Sequence, residues 1–189
     1  MPKTWDDSTF LTRLAAFRER PTPTEAEALA DEADERALPA LVAASTDVME
    51  GDEGAVYRAA LRRLSGAVDL GRWLAGDLEA RRVAAHCLDA RLVAHVPLIR
   101  AALHDSDDQV RSIARRSLRA WRASPELHAL FVELLRHEDP RVRQIAAEGV
   151  AKIGGHGDAG ALAAAVEAEA DERTRDRLAW ALEVVEDAP

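Results

Sequence analysis

The chain has 189 residues, 34 of them acidic and 25 basic, giving a net charge of −9. Hydrophobic residues make up 48% but aromatics only 4%, and Ala and Leu supply much of the apolar content, which favours helix because these side chains keep most of their freedom there. The charge argues against a surface that binds nucleic acid or anionic membrane everywhere; the single cysteine, Cys87, excludes an intrachain disulfide and a thiolate-rich zinc site; no apolar run reaches the roughly 20 residues of a membrane span.

The N-terminal residues lack the apolar run of a signal peptide, so a cytoplasmic location is expected. Phe10, Leu14 and Phe17 fall on one face and predict a first helix over 6–18. Thr22-Pro23-Thr24-Glu25 has the capping-box form with Pro at the first helical position, and predicts a helix to about residue 33. Pro39 opens a helix over 39–46. Glu53, Val56, Tyr57, Ala60 and Leu64 mark another, and a short helix over 68–75, carrying Trp73 as a core residue, follows.

From there the chain repeats itself. Asp77-x-x-Ala80-Arg81-x-x-Ala84-x-x-x-Leu88 aligns without gaps with Asp107-x-x-Val110-Arg111-x-x-Ala114-x-x-x-Leu118, with Asp139-x-x-Val142-Arg143-x-x-Ala146-x-x-x-Val150 and with Asp171-x-x-Thr174-Arg175-x-x-Leu178-x-x-x-Leu182. The arginines recur every 30 to 32 residues, the period of a stacked helical repeat. Each motif is the second (B) helix of a pair, with first (A) helices expected over 93–103, 126–135 and 159–166. Asp139 is a good N-cap with Pro140 at the first helical position. Val142, Ile145, Ala146, Gly149, Val150 and Ile153 form the buried stripe of that helix, and Gly154-Gly155 should end it by adopting positive φ. Short A-to-B links, such as His137-Glu138, force neighbouring helices to run antiparallel. His104 and His137 both stand at the end of an A helix, where a donor suits the last carbonyls.

The motif D-x-x-V-R-x-x-A-x-x-x-L on a second helix resembles HEAT repeats. The nearest stretch is 132–154, which is similar to the bacterial HEAT-like subtype first named for phycobilisome lyases. The resemblance covers 77–185 and fades before Gly66. It implies an all-α, right-handed α-solenoid of about six antiparallel helix pairs in a single domain over 1–189. Residues 67–186 are the clear repeats, and 1–66 are divergent repeats that cap one end. It also implies a structural ladder in which Arg81, Arg111, Arg143 and Arg175 bond the acidic caps Asp77, Asp107, Asp139 and Asp171 and nearby loop carbonyls. B helices usually line the concave face of such solenoids.

On a helical wheel the outward side of the B helices carries Arg82 and Asp89, then Arg115, Arg116 and Arg119, then Gln144 and Glu148, then Trp180. Arg82, Arg115, Arg116, Arg119, Gln144, Glu148 and Trp180 are therefore the candidate partner-binding residues. Trp121 aligns with core Ile153 and is expected in the core; Cys87 aligns with Ser117 and Gly149 in a semi-buried column. HEAT-like diiron deoxyhypusine hydroxylases place His-Glu pairs directly after the repeat Arg. Here those positions read Arg82-Val83, Ser112-Ile113, Gln144-Ile145 and Asp176-Arg177, so no metal and no cofactor are expected. Nor is there a Gly-rich phosphate loop or a nucleophile elbow.

The leading expectation is a non-enzymatic scaffold or adaptor holding a protein partner on its B-helix face. A second is nucleic-acid binding in the manner of the HEAT-like alkylpurine DNA glycosylases; the arginine cluster favours it and the net charge opposes it. A third is a lyase or chaperone subunit acting on a cofactor-bearing protein. The sequence leaves the oligomeric state open.

Overall fold

A computed structural model of the protein describes residues 6–47 and 52–187. The side chains of Asp52 and Glu53, the latter part of the expected pattern of the fourth helix, lie outside the description. Among the described residues there are twelve α-helices, three short 3₁₀ turns and no strand. The chain divides into two compact units, residues 1–88 with 105–113 and residues 89–104 with 114–189.

In the first unit, α1 (Asp7–Glu19) is capped by Asp6, whose carboxylate accepts the Thr9 N–H at 3.0 Å, and it buries Phe10, Leu14 and Phe17. Thr22 caps α2 (Pro23–Asp31) by accepting the Glu25 N–H at 3.3 Å. The helix stops short of residue 33 because Ala33 turns into the left-handed region, φ 54°, which costs a residue with a Cβ about 1 kcal/mol. Arg13 forks onto both oxygens of Glu25 and ties α1 to α2. Then come α3 (Leu38–Asp47), α4 (Asp52–Ser65), α5 (Leu70–Leu74) and α6 (Leu78–Cys87). Tyr57 of α4, in the alignment column of the repeat arginines, is buried and meets Phe17 edge-on at 6.3 Å. This divergent part thus fills with an aromatic ring the slot that later repeats give to a guanidinium. Trp73 is half-buried rather than core: α5, at five residues, is too short to cover it, and its indole N–H donates to Glu35 at 3.1 Å.

The second unit holds α7 (Val96–Leu103), α9 (Pro125–Leu134), α10 (Pro140–Ile153), α11 (Ala159–Ala168) and α12 (Glu172–Glu186); α8 (Asp108–Ser117) gives its first six residues to the first unit and the rest to this one. α9 packs on α10, and both α10 and α11 pack on α12. Leu127, Leu130, Phe131 and Leu134 face Val142, Ala146 and Val150, all buried. Gly149 admits the Phe131 ring: a Cβ there would stand 2.3 Å from the ring carbons. Gly154 does not end α10 by positive φ, as expected, but at φ −81°. It is needed because a Cβ would meet the Val150 carbonyl and the Asp158 carboxylate at 2.6 and 2.4 Å.

The ladder was expected to join each repeat arginine to a capping Asp; among the described residues the caps and the arginines instead take separate partners around the same turns. Asp77 and Asp171 cap α6 and α12 by accepting the Ala80 and Thr174 N–H groups at 2.9 and 2.8 Å, and Asp139 caps α10 through the Arg141 N–H at 2.8 Å. Asp107 accepts from Gln109 and Val110 at the start of α8. Arg82, followed by these backbone donors, holds the Asp107 carboxyl below its usual range, and Thr174 does the same for Asp171. Each arginine reaches back to a carbonyl of the turn before its own helix: Arg81 to Gly76, Arg111 to Asp105, Arg143 to His137 and Glu138, Arg175 to Glu169. Arg81 and Arg143 also reach forward, to Asp105 at 2.9 Å and to both oxygens of Glu169 at 2.6 and 2.7 Å.

Those forward partners sit two residues before a capping Asp, a position with a second duty. There Asp105, His137 and Glu169 accept the N–H of Asp107, Asp139 and Asp171 at 2.8, 3.0 and 2.9 Å. His137 does so through Nδ1, so Nε2 carries the proton and donates to the Leu103 carbonyl at 3.3 Å. His104 is therefore not its equivalent, as expected, but lies one position off, its ring 4.9 Å from that of His137. Burial, reinforced by His104 and opposed by the Leu103 carbonyl, depresses the His137 imidazole below its ordinary value; burial does the same to His95, whose Nδ1 accepts the Asp89 N–H.

Three outcomes follow for stability. Gly149→Ala should destabilise the protein by about 1–3 kcal/mol in urea melts, since overpacking outweighs the ~1 kcal/mol helix-propensity gain, and Phe131→Leu in the same chain should restore part of it. Glu169→Ala should cost about 3 kcal/mol, because a buried carboxylate is lost from Arg143 and the Asp171 N–H together. The depressed histidines set a pH window: below about 6.5 the unfolded chain takes up protons that the fold refuses, so stability is full above that pH and falls below it. Paired urea midpoints at pH 7.5 and 5.5 should show this drop, and His137→Asn should shrink it by roughly half.

Candidate functional site

Once the ladder is assigned, the outward B-helix side chains separate by environment. Arg82, in the first unit, holds Asp107 at 3.1 Å. Asp89, expected on the same face, is buried, because α6 ends at Cys87 and Leu88 is extended, so the helical wheel no longer applies; Arg91 forks onto its carboxylate. Arg115 is only 17% exposed and pairs with Asp139. Arg116 and Arg119 are exposed. Gln144 donates from Nε2 to the Thr174 hydroxyl at 2.8 Å, and Glu148 meets Arg177 at 3.5 Å. Trp180 is 39% exposed, with the Arg177 guanidinium 5.2 Å from its ring centre.

Five of the seven candidates border two hollows of the second unit. The larger, ≈400 Å³, lies between the end of α8 and the outer face of α10. Arg115 and Arg119 form one wall; Gln144 and Glu148 belong to the other. The smaller, ≈230 Å³, brings Gln144 next to Trp180, Arg177 and Asp176. Gln144 is common to both. Arg116 lines neither of them.

The larger groove also contains residues that the sequence reading passed over. Arg141 and Lys152 enter it from α10, and Ile145 and Trp121 supply its apolar surface over the buried Leu118. Trp121 is not core, as expected: it is half-buried, T-shaped on Phe131 at 5.5 Å, with the Lys152 ammonium 5.9 Å from its ring centre. Ile153, with which Trp121 aligns, is half-buried as well and not core; Trp121 sits in the chain after α8 ends at Ser117, whereas Ile153 is the last residue of α10. The signal was present in sequence: Arg141, Ile145, Glu148 and Lys152 recur at spacings of four, three and four, one stripe of a helix.

Cys87 is buried, which pushes its thiol up to about 12. Among the described residues no group of three or more His, Cys, Asp or Glu side chains is placed to hold a metal ion, and no helix is long and apolar enough to cross a membrane.

No curated protein and no solved structure matches the chain. Residues 95–183, a little under half of it, match the family model of HEAT repeats. With an all-helical chain and a motif recurring on the second helix of each pair, that match supports a place for the protein in the HEAT-repeat family.

Proposed function

We propose that the protein is a non-enzymatic adaptor that holds a protein partner on the outer face of α10 and α12. HEAT repeats commonly mediate protein–protein interaction. The observation that carries the reading is the exposed indole of Trp180 beside the Gln144 hollow, on a surface where the ladder has already absorbed the repeated charges. A large half-exposed aromatic flanked by polar groups is the typical anchor of an interface. Gln144, Glu148 and Trp180 form the proposed contact surface, extended by Arg116 and Arg119; Arg115 shapes its wall. Arg82, already spent on Asp107, is left out. A cytoplasmic setting belongs to the same proposal.

The lyase-type subclass would favour a reactive group near the surface. Cys87 does not supply one, because its raised pKa keeps it a buried thiol rather than a thiolate at neutral pH.

The test is capture of partners from the native host's lysate, with nuclease treatment, on wild-type protein and on Trp180→Ala. A partner that survives nuclease and loses about 2 kcal/mol of affinity with Trp180→Ala is the expected result. Partners held equally by both proteins would remove Trp180 from the interface, and recovery of nucleic acid alone would replace the adaptor reading.

A further inference from the structure

We propose that the groove between the end of α8 and α10 binds an extended acidic segment of the partner, with one apolar side chain laid against Ile145 and Trp121. This rests on the adaptor reading and gives it a chemistry.

Charge is the first ground. Many arginines of this chain hold carboxylates, among them Arg13, Arg81, Arg82, Arg115 and Arg143. Most cations of the groove do not. Arg119, Arg141 and Lys152 line it, and among the described residues none of the three has a carboxylate within ion-pairing distance. Glu148, the acidic residue of the groove, faces Arg177 outside it. Three uncompensated cations thus gather in ≈400 Å³ on a protein of net charge −9. Such a concentration of one sign attracts the opposite sign and adds to the rate of encounter.

The second ground is what the groove refuses. A nucleic-acid strand needs an open aromatic face for its bases and unbroken positive charge for its phosphates. Trp121 has Phe131 on one side and the Lys152 ammonium on another, so it forms a wall rather than a stacking platform. Glu148, paired with Arg177, can accept a peptide N–H, a donor that a phosphodiester does not offer. The free carbonyl oxygen of the Gln144 amide offers a second acceptor of the same kind, its Nε2 being committed to Thr174. Carboxylates on either side of one aliphatic residue satisfy the cations, the acceptors and the apolar surface together.

The probe is a fluorescein-labelled peptide of Asp and Glu around a central Leu, followed by anisotropy. Its controls are the same peptide with Asn and Gln in place of the acids, and a labelled single-stranded oligonucleotide. The acidic peptide should bind saturably and weaken with salt, and Arg119→Glu with Arg141→Glu should reduce its affinity by at least about tenfold. Arg122→Glu with Arg136→Glu, of similar charge change at exposed positions off the groove, should leave it within about twofold. Binding should also shift the Trp121 indole N–H resonance, identified by its loss in Trp121→Phe. Circular dichroism of each variant, with the milder Arg119→Ser and Arg141→Ser pair as a second set, separates loss of the site from loss of the fold. Absence of saturable binding, equal affinity in the groove variant, equal loss in the off-groove variant, or tighter binding of the oligonucleotide would each overturn the proposal. If lysate partners are still captured by the Arg119/Arg141 variant, the groove fails while the adaptor reading stands; if the peptide binds but the lysate yields nucleic acid alone, the adaptor reading fails while the groove stands.

Discussion

Each B helix begins at a turn whose backbone has no helix of its own to satisfy it. Before α6 the position two before the capping Asp is Ala75, with no side-chain acceptor; before α8, α10 and α12 the residue there resolves this. Its side chain accepts the N–H of the cap residue, the cap accepts from the first turn of the helix, and the repeat arginine bonds the carbonyl of the same turn. In the Glu169 turn all three bonds are present, and Arg143 adds a fork from the preceding B helix. A partly buried guanidinium is tolerable because four of its five N–H donors are used, on two oxygens of Glu169 and on the His137 and Glu138 carbonyls. The phase of one repeat against the next is therefore fixed by directional bonds, while Ala-rich helix faces alone would slide.

That economy of polar groups decides where function can reside. Asp77, Asp107, Asp139 and Asp171 are consumed by caps, and the arginines four residues on are consumed by turns. A ligand that competed for them would unfold a turn. Charges outside the ladder are free of this constraint, and the cations that gather on the groove side of α10 fall in that class. The same division explains why Arg115 and Arg119, four residues apart, differ: Arg115 reaches Asp139 at the head of α10, and Arg119 lies past the end of α8, beyond reach of that cap.

The columns of Asp and Arg were legible in sequence because each is one residue type at a fixed offset, but the partners the arginines take were not. Caps such as Thr22 and Asp139 were legible for the same reason: a short polar side chain before Pro has few other uses. The position two before the cap was not, since Asp105, His137 and Glu169 share no chemistry except a side-chain acceptor at suitable reach, so no column of like residues exists to be seen. Helix ends limited the rest. Asp89 was placed by extending a wheel of 100° per residue past Cys87, and Trp121 by alignment with Ile153, although the chain had already left the helix at Cys87 and at Ser117. Gly154 was assigned the wrong virtue: it serves close approach to Val150 and Asp158, which a pattern of glycines after a helix does not distinguish from positive φ.

An acidic protein with a cationic groove separates two length scales of electrostatics. At physiological ionic strength the screening length is about 8 Å, so the overall −9 is felt only weakly inside a groove, while cations sharing that groove act together. Bulk polyanions, which must lie along an extended surface, meet the acidic exterior as well; a short acidic segment that enters the groove meets mainly Arg119, Arg141 and Lys152. Selectivity against nucleic acid then needs no dedicated contact, because the repulsion is spread over the surface and the attraction is confined to one place. The half-buried Trp121 contributes in the same sense, giving apolar surface to a side chain at little entropic cost to itself, because Phe131 and Lys152 already hold its ring.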